Sequence, residues 1–177
     1  HYPLRRQRQM CIRDSYRTLD ELPDFTDYSM KGRTYRYLTE EPLYPFGYGL
    51  SYGDVQVEKA EFAKAPEKEQ DAEIRVTVKN HSEVATRDVV EVYIKNQDSK
   101  YAPVNPALCG FAKVSLEAGE EKELTITVSK EAYKVVNDEG EKIFDSSSSV
   151  LFVGTNGPDK RSEALTGKVT KQLVINW

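Results

Sequence analysis

The sequence is poor in cysteine and histidine, with two of each in 177 residues. Cys11 and Cys109 are separated by almost the whole chain, and no second Cys or His stands at metal-ligand spacing from either. We therefore expect two free thiols. His1 and His81 are isolated as well, and His81 follows an asparagine in a turn pattern, which is typical of a solvated imidazole. The sequence predicts no metal site and no cofactor.

Long apolar runs and an excess of one charge sign are also missing. No stretch reaches the roughly 18 apolar residues that a membrane-spanning helix requires, and HYPLRRQRQM at the start lacks the apolar core of a signal peptide. Hydrophobic residues make up 38%, charged residues 31%, and the formal net charge is -4, as in an ordinary soluble and mildly acidic protein. We expect no membrane and no nucleic acid as partner. The sequence does not distinguish a cytoplasmic bacterial protein from a secreted one.

Signals of catalysis are scarce. The acidic pairs at 40–41, 120–121 and 138–139 lie in polar turns, whereas hydrolytic catalysis needs two carboxyl groups that face each other across the scissile bond. Neighbouring acids in a charged turn are far more typical of solvated surface. The serine run at 146–149 has no histidine or glycine elbow near it, and no glycine-rich loop precedes a helix. The sequence predicts no catalytic residue in this chain.

Residues 1–15, HYPLRRQRQMCIRDS, differ from everything that follows. They are rich in arginine and have no periodic apolar pattern. The string RRQRQMCIRDS resembles translated sequencing-adapter sequence, which indicates a foreign or disordered tail, while a native basic arm is the alternative. We expect this segment to be unpacked, so that its deletion removes no stability.

Residues 16–53 are rich in tyrosine, proline and glycine. In EPLYPFGYGLSY, residues 41–52, three tyrosines stand four apart, at helical spacing, but the prolines and glycines between them exclude a helix. Only short strands such as Thr34–Leu38 are predicted. Flexible linkers are poor in aromatic residues. We therefore expect an ordered, extended connector that packs on another part of the protein.

From residue 54 onward, apolar and polar residues alternate in short segments separated by turns, the pattern of half-buried strands. The candidate strands are 55–62, 74–78, 90–94, 108–116, 124–128, 150–153 and 169–175. About seven strands without a convincing helix predict an all-β sandwich of the immunoglobulin or fibronectin type III kind. The run 130–136 is a turn at most. The predicted inward side chains are Val76, Val78, Val90, Val92, Ile126 and Val128.

Several motifs resemble those of family 3 glycoside hydrolases. GRTYRY at 32–37, followed by YPFGYGLSY at 44–52, is similar to the stretch that joins the α/β sandwich domain of that family to its C-terminal fibronectin type III-like domain. Downstream, VTVKN, DVVEVYI, LCGFAKVSLEAGE and LFVG are similar to successive strand motifs of that domain. The chain departs from the usual motifs of this family at Ser82, in a turn, and at Asp88 and Glu91, in a strand motif. The resemblance covers about residues 24–177.

The resemblance implies a retaining β-glycosidase, such as a β-glucosidase or β-xylosidase, that hydrolyses O-glycosyl bonds through a covalent glycosyl-enzyme. In that family the nucleophilic Asp belongs to a barrel domain and the acid/base Glu usually to the α/β sandwich domain. Both precede the present segment, so neither is carried over. Residues 54–177 would be the fibronectin type III-like domain, and 16–53 the connector from a missing upstream α/β domain. The partners implied are the upstream catalytic domains of the same chain and, for the parent enzyme, a β-linked glycoside.

Two functions stay open at this point. Large aromatic side chains with a polar tip suit a strip that fixes two rigid domains against each other. The same side chains also stack on pyranose rings, so a free-standing carbohydrate-binding or adhesion module is the alternative. The connector motif favours a non-catalytic scaffold domain with a docking strip. The predicted docking residues are Tyr35, Tyr37, Tyr44, Phe46, Tyr48 and Tyr52.

Overall fold

The computed structural model describes residues 18, 20, 24–64 and 66–177. The expected tail, residues 1–15, lies outside the described residues. In chain order the elements are α1 (Thr34–Tyr37), β1 (Val55–Lys64), β2 (Ala72–Asn80), β3 (Thr86–Gln97), β4 (Ala107–Leu116), β5 (Glu121–Val128), a 3₁₀ helix (Lys130–Tyr133), β6 (Val135–Val136), β7 (Lys142–Ile143), β8 (Ser148–Gly154), α2 (Lys160–Thr166) and β9 (Lys171–Asn176). None of the helices in this described part is long and apolar enough to cross a membrane.

The long strands form two antiparallel sheets. Sheet I has three strands in the order β1-β2-β5, and sheet II has four in the order β4-β3-β8-β9. A two-stranded ribbon, β6 with β7, lies beside them. The buried side chains of both sheets belong to one apolar cluster. The predicted all-β sandwich of about seven strands is therefore confirmed.

Valine and isoleucine at alternate positions build the core, as the period-2 pattern predicts. All six predicted inward residues are buried, and Val76, Val78, Val90, Val92 and Val128 have no exposed surface. Each such side chain contributes about 1.5–3 kcal/mol through burial. The single tryptophan, Trp177, packs edge-on against Tyr133 at one end of the core, with ring centroids 4.9 Å apart.

The outer faces of the two sheets have different chemistry. Sheet I presents a row of ion pairs, in which Glu61 binds Lys59 at 2.6 Å and Arg75 at 3.5 Å. Exposed pairs of this kind contribute little stability, and they mark a solvated face. Sheet II presents aromatic side chains instead. Tyr93 on β3 pairs with Phe152 on β8. Phe111 on β4 pairs with Glu91, two positions before Tyr93. Aromatic side chains on an outer sheet face are expected to be covered by another part of the protein.

The sequence-based prediction is wrong for two short segments. Thr34–Leu38, predicted as a strand, contains the one-turn helix α1. Hydrogen bonds from Asn105 of the sandwich to its carbonyl groups override the local propensity. Helix α2 was missed altogether. Its signals were present: Asp159 caps the N-terminus by accepting a hydrogen bond from the Ser162 amide, and Gly167 ends the helix with φ +70°.

Candidate docking surface formed by the connector

The connector lies on the outer face of sheet II as a third layer. The ring of Phe46 meets Tyr93 edge-on, with centroids 6.4 Å apart, and its face stacks on Tyr35 at 4.0 Å. Tyr93 points away from the core, as its alternation with Val92 requires, yet only 1% of it is exposed. The connector therefore supplies the cover that this strand face lacks.

Asn105, in the loop between β3 and β4, holds the helix end of the connector. Its backbone amide donates to the Arg36 carbonyl at 2.9 Å, and its side-chain amide donates to the carbonyls of Tyr35 and Leu38 at 2.8 and 2.7 Å. These groups are the ones that a helix C-terminus leaves without intrahelical partners. The Tyr35 hydroxyl in turn accepts a hydrogen bond from the Leu108 amide at 3.1 Å. One turn of helix is thus stabilised by the sandwich.

Gly47 allows the connector to approach the sheet closely. Its φ is +83°, in the region that favours glycine, and a Cβ atom placed there would lie 2.6 Å from Oε2 of Glu91 and against the Tyr93 hydroxyl. On the opposite side, a Cβ on Gly157 would lie 2.9 Å from the Phe46 carbonyl oxygen. The backbone at 46–47 therefore runs in a slot between β3 and the loop after β8.

Burial under the connector shifts the titration of the side chains beneath it. The Tyr93 hydroxyl donates to Oε2 of Glu91 at 2.8 Å. Burial, and secondarily the Glu91 charge, raises the pKa of Tyr93 well above its ordinary range, so the hydroxyl remains a donor. Burial also raises the pKa of Glu91 and that of Asp88. Glu91 acts here as an acceptor that orients Tyr93.

The six predicted docking residues form two stacked pairs and two single positions. Tyr35 and Phe46 pack on sheet II, while Tyr44 and Tyr48 stack on each other at 5.7 Å. Tyr37 is half-buried. Tyr52 is 99% exposed. The structure therefore brings four of the six together in pairs and leaves Tyr52 bare.

Much of the surface that the connector exposes is apolar. Leu50 is 90% exposed and Tyr28 89% exposed. Apart from Phe46, which is 45% exposed but packs on Tyr93, the large hydrophobic residues exposed between positions 24 and 52 are Phe25, Tyr28, Met30, Leu43, Tyr44, Leu50 and Tyr52, a set that we call the connector patch. Single exposed apolar residues are common, but seven in one segment are typical of a surface that another body covers.

The predicted acidic pairs lie in turns. Oδ2 of Asp138 binds the Lys100 ammonium at 3.1 Å and accepts from the Tyr101 hydroxyl. Oε2 of Glu120 accepts a hydrogen bond from the Glu117 amide at 2.6 Å. In the described ranges, no group of three or more His, Cys, Asp or Glu residues could hold a metal ion. These carboxylates stabilise loops.

Sequence reasoning missed the sandwich half of the contact: Tyr93, Glu91, Asn105 and Gly157. Only Tyr93 carried a usable signal, because an aromatic residue at an outward position of a strand indicates a covered outer face. Asn105 stands between prolines in a loop, where a capping role for a helix almost 70 positions earlier cannot be read from local pattern.

Known proteins carry the same domain in the same setting. Residues 88–157 match the family model of the fibronectin type III-like domain. A family 3 β-glucosidase from Bifidobacterium adolescentis, known from its crystal structure, superposes with a TM-score of 0.68 at 27% identity over 82% of this chain and 20% of that one. The chain belongs to the fibronectin type III-like domains of family 3 glycoside hydrolases.

Two relatives align with both the connector and this fibronectin type III-like domain. The chain is 31% identical over 152 residues to a xylan 1,4-β-xylosidase of Xylanibacter ruminicola, covering 85% of the chain and 17% of the relative. It is also 31% identical to thermostable β-glucosidase B of Acetivibrio thermocellus, over 77% of the chain and 19% of that protein. The chain thus spans about a fifth of the length of the relatives that it matches.

Proposed function

We propose that this chain is the non-catalytic C-terminal scaffold of a retaining β-glycosidase, and that its connector patch docks against the domain that precedes it. The parent enzyme would hydrolyse O-glycosyl bonds of a β-glucoside or β-xyloside, in agreement with the names of its relatives. Its two catalytic carboxyl groups would lie in the preceding domains, so that this chain supplies orientation and stability rather than chemistry.

The observation that carries the proposal is the two-sided packing of the connector. One side, through Tyr35, Phe46 and Gly47, fits closely on sheet II. The other side leaves the connector patch exposed, although apolar surface of this extent is costly in water. A rigid strip with one fixed side and one bare side is suited to holding two domains at a defined angle.

The arrangement of the rings speaks against a carbohydrate platform. A pyranose stacks on the open face of an aromatic ring, but Tyr35 and Phe46 lie 7° from parallel at 4.0 Å and occupy each other's faces. Tyr44 and Tyr48 are paired in the same manner, at 17°. Each pair leaves at most its outer faces for a sugar, which favours docking over sugar binding.

Two measurements on the isolated chain test this function. We expect no turnover of any aryl β-glycoside, and flat calorimetric titrations with gluco- and xylo-oligosaccharides, while the parent enzyme hydrolyses at least one aryl β-glycoside. Saturable sugar binding that disappears in the Phe46→Ala, Tyr48→Ala double variant would instead favour the carbohydrate-binding module. Turnover by the isolated chain would contradict the scaffold function directly.

A further inference from the structure

A cleft of about 230 Å³ lies where the connector, the sandwich and the 3₁₀ helix meet. Its floor is apolar, with Ile94 on β3, Ala107 and Leu108 on β4, and Val135 on β6. Since a liquid water occupies about 30 Å³, the cleft has room for a small organic group of several heavy atoms together with water.

The charged groups that line the cleft are mainly cationic. Arg36 from α1, Lys95 from β3 and Lys134 after the 3₁₀ helix line it, against a single carboxylate, Glu131. Both carboxylate oxygens of Glu131 already form ion pairs, because Oε1 binds Lys134 at 2.6 Å and Oε2 binds Lys142 at 3.2 Å. The charge of the remaining two cations, Arg36 and Lys95, is therefore not neutralised from within the lining.

Lys95 is the more constrained of these two cations. Its ammonium group donates to the carbonyls of Pro103 and Val104 at 2.5 and 2.7 Å, which leaves one N–H without an acceptor among the described residues. Desolvation lowers the pKa of Lys95, and no charge among the described residues acts to raise it. Arg36 lies over the Tyr35 ring at 5.9 Å and forms no ion pair within the described ranges. A partly desolvated cation beside a second free cation favours an anion between them.

We propose that this cleft binds a carboxylate carried on a short apolar stem. The carboxylate would accept hydrogen bonds from Lys95 and Arg36, and the stem would lie on the floor made by Ile94, Leu108 and Val135. Planar Arg and a charged ammonium group are the donors that carboxylates prefer. The carboxylate has two possible sources: a Glu or Asp side chain of a preceding domain, or a free sugar acid. Binding of a carboxylate here is measured on the isolated chain, so that its failure and the failure of the docking function are distinguishable.

Titration of the isotope-labelled chain with propionate, followed by NMR, tests the site. We expect saturable shifts confined to the backbone amides of residues 94–96, 105 and 107–109, with a Kd on the order of 1–10 mM. Propionamide, which has the same shape without the charge, should produce none. Binding should also raise the pKa of Lys95, which a purely structural lysine would not show.

Variants and two further acids complete the experiment. Arg36→Gln, at an exposed position, should weaken propionate binding at least fivefold, as should Lys95→Met if that variant folds, while Lys171→Met on the exposed edge strand β9 should leave it unchanged. Tighter binding of N-acetylglutamate methylamide points to a protein side chain, and tighter binding of glucuronate to a free sugar acid. Shifts that do not saturate, that also follow propionamide, or that persist in Arg36→Gln would overturn the proposal.

Discussion

At the level of single residues, strand β3 serves two environments at once. Val92 has no exposed surface and belongs to the sandwich core, while its neighbour Tyr93 points the other way and is covered by the connector. Both positions are equally buried, but for different reasons. Substitutions on the two faces should therefore have separable effects, one on the whole domain and one on the connector.

Replacement of Val92 by Asp should unfold the domain. An unpaired carboxylate at a position with no exposed surface costs far more than a cavity, and we expect a loss of at least about 4 kcal/mol. Thermal melts followed by the fluorescence of Trp177 measure the effect, since this tryptophan is the only one in the chain. Val174→Asp on β9, where the side chain is 57% exposed, is the matched control and should change little. A Val92→Asp variant that melts like the parent would mean that the assigned inward face is incorrect.

Glu91 should make the stability of the chain depend on pH. Because burial raises its pKa above the ordinary 4.5, the folded chain binds the proton more tightly than the unfolded chain. The contribution of this group to stability is fully present below the unfolded pKa and is lost as the pH rises through the folded pKa. Glu91→Gln keeps an acceptor for Tyr93 but removes this titration.

Denaturant unfolding at several values between about pH 4 and pH 7 measures this contribution. The Glu91→Gln variant should gain stability relative to the parent as the pH rises, with Asp88 retaining its own contribution. Glu73→Gln, at an exposed position of sheet I, should give the parent profile. Parallel profiles for Glu91→Gln and the parent would show that Glu91 is not desolvated in the folded chain.

At the level of elements, the strands were predictable because period-2 alternation and the burial of one face have the same cause. Strand β2 extends over Ala72–Asn80 where 74–78 was predicted, a difference at the ends alone. The connector was harder, because its conformation depends on partners distant in sequence. α1 forms because Asn105 donates hydrogen bonds to its carbonyl groups. Neither the sequence of this loop nor that of the helix predicts the contact between them.

A methyl group at Gly47 should detach the connector. Gly47→Ala combines a positive φ with a clash against Tyr93 and Glu91, so we expect a loss of about 1–3 kcal/mol and faster hydrogen exchange at residues 34–48. Gly49→Ala is the matched control, because a Cβ there has no neighbour within 4 Å and the φ is not positive. Equal melting temperatures and exchange rates for the two variants would contradict close seating of the connector.

At the level of the whole molecule, the aromatic strip could be identified from the sequence, but its two sides could not. The prolines and glycines at 41–52 exclude a helix, but they do not predict where each ring points: the turn at 45–48 directs Phe46 to sheet II and stacks Tyr44 on Tyr48. Tyr52 remains exposed. The orientation of side chains in an irregular segment follows from backbone turns and from the sheet beneath it, and neither is encoded in spacing alone. Only the exposed residues identify the side that we propose to dock against a preceding domain.

Leu50 and Tyr52 offer the most direct test of docking, because they are 90% and 99% exposed and thus contribute almost nothing to the isolated chain. Changing both to Ser should leave the melting temperature of the isolated chain within about 1 °C of the parent value. In the parent enzyme the same double change should lower the free energy of unfolding by about 2–5 kcal/mol, since apolar side chains buried between domains would be lost. A parent enzyme that melts unchanged with both substitutions would show that the connector patch does not dock, and would contradict the scaffold function proposed for this chain.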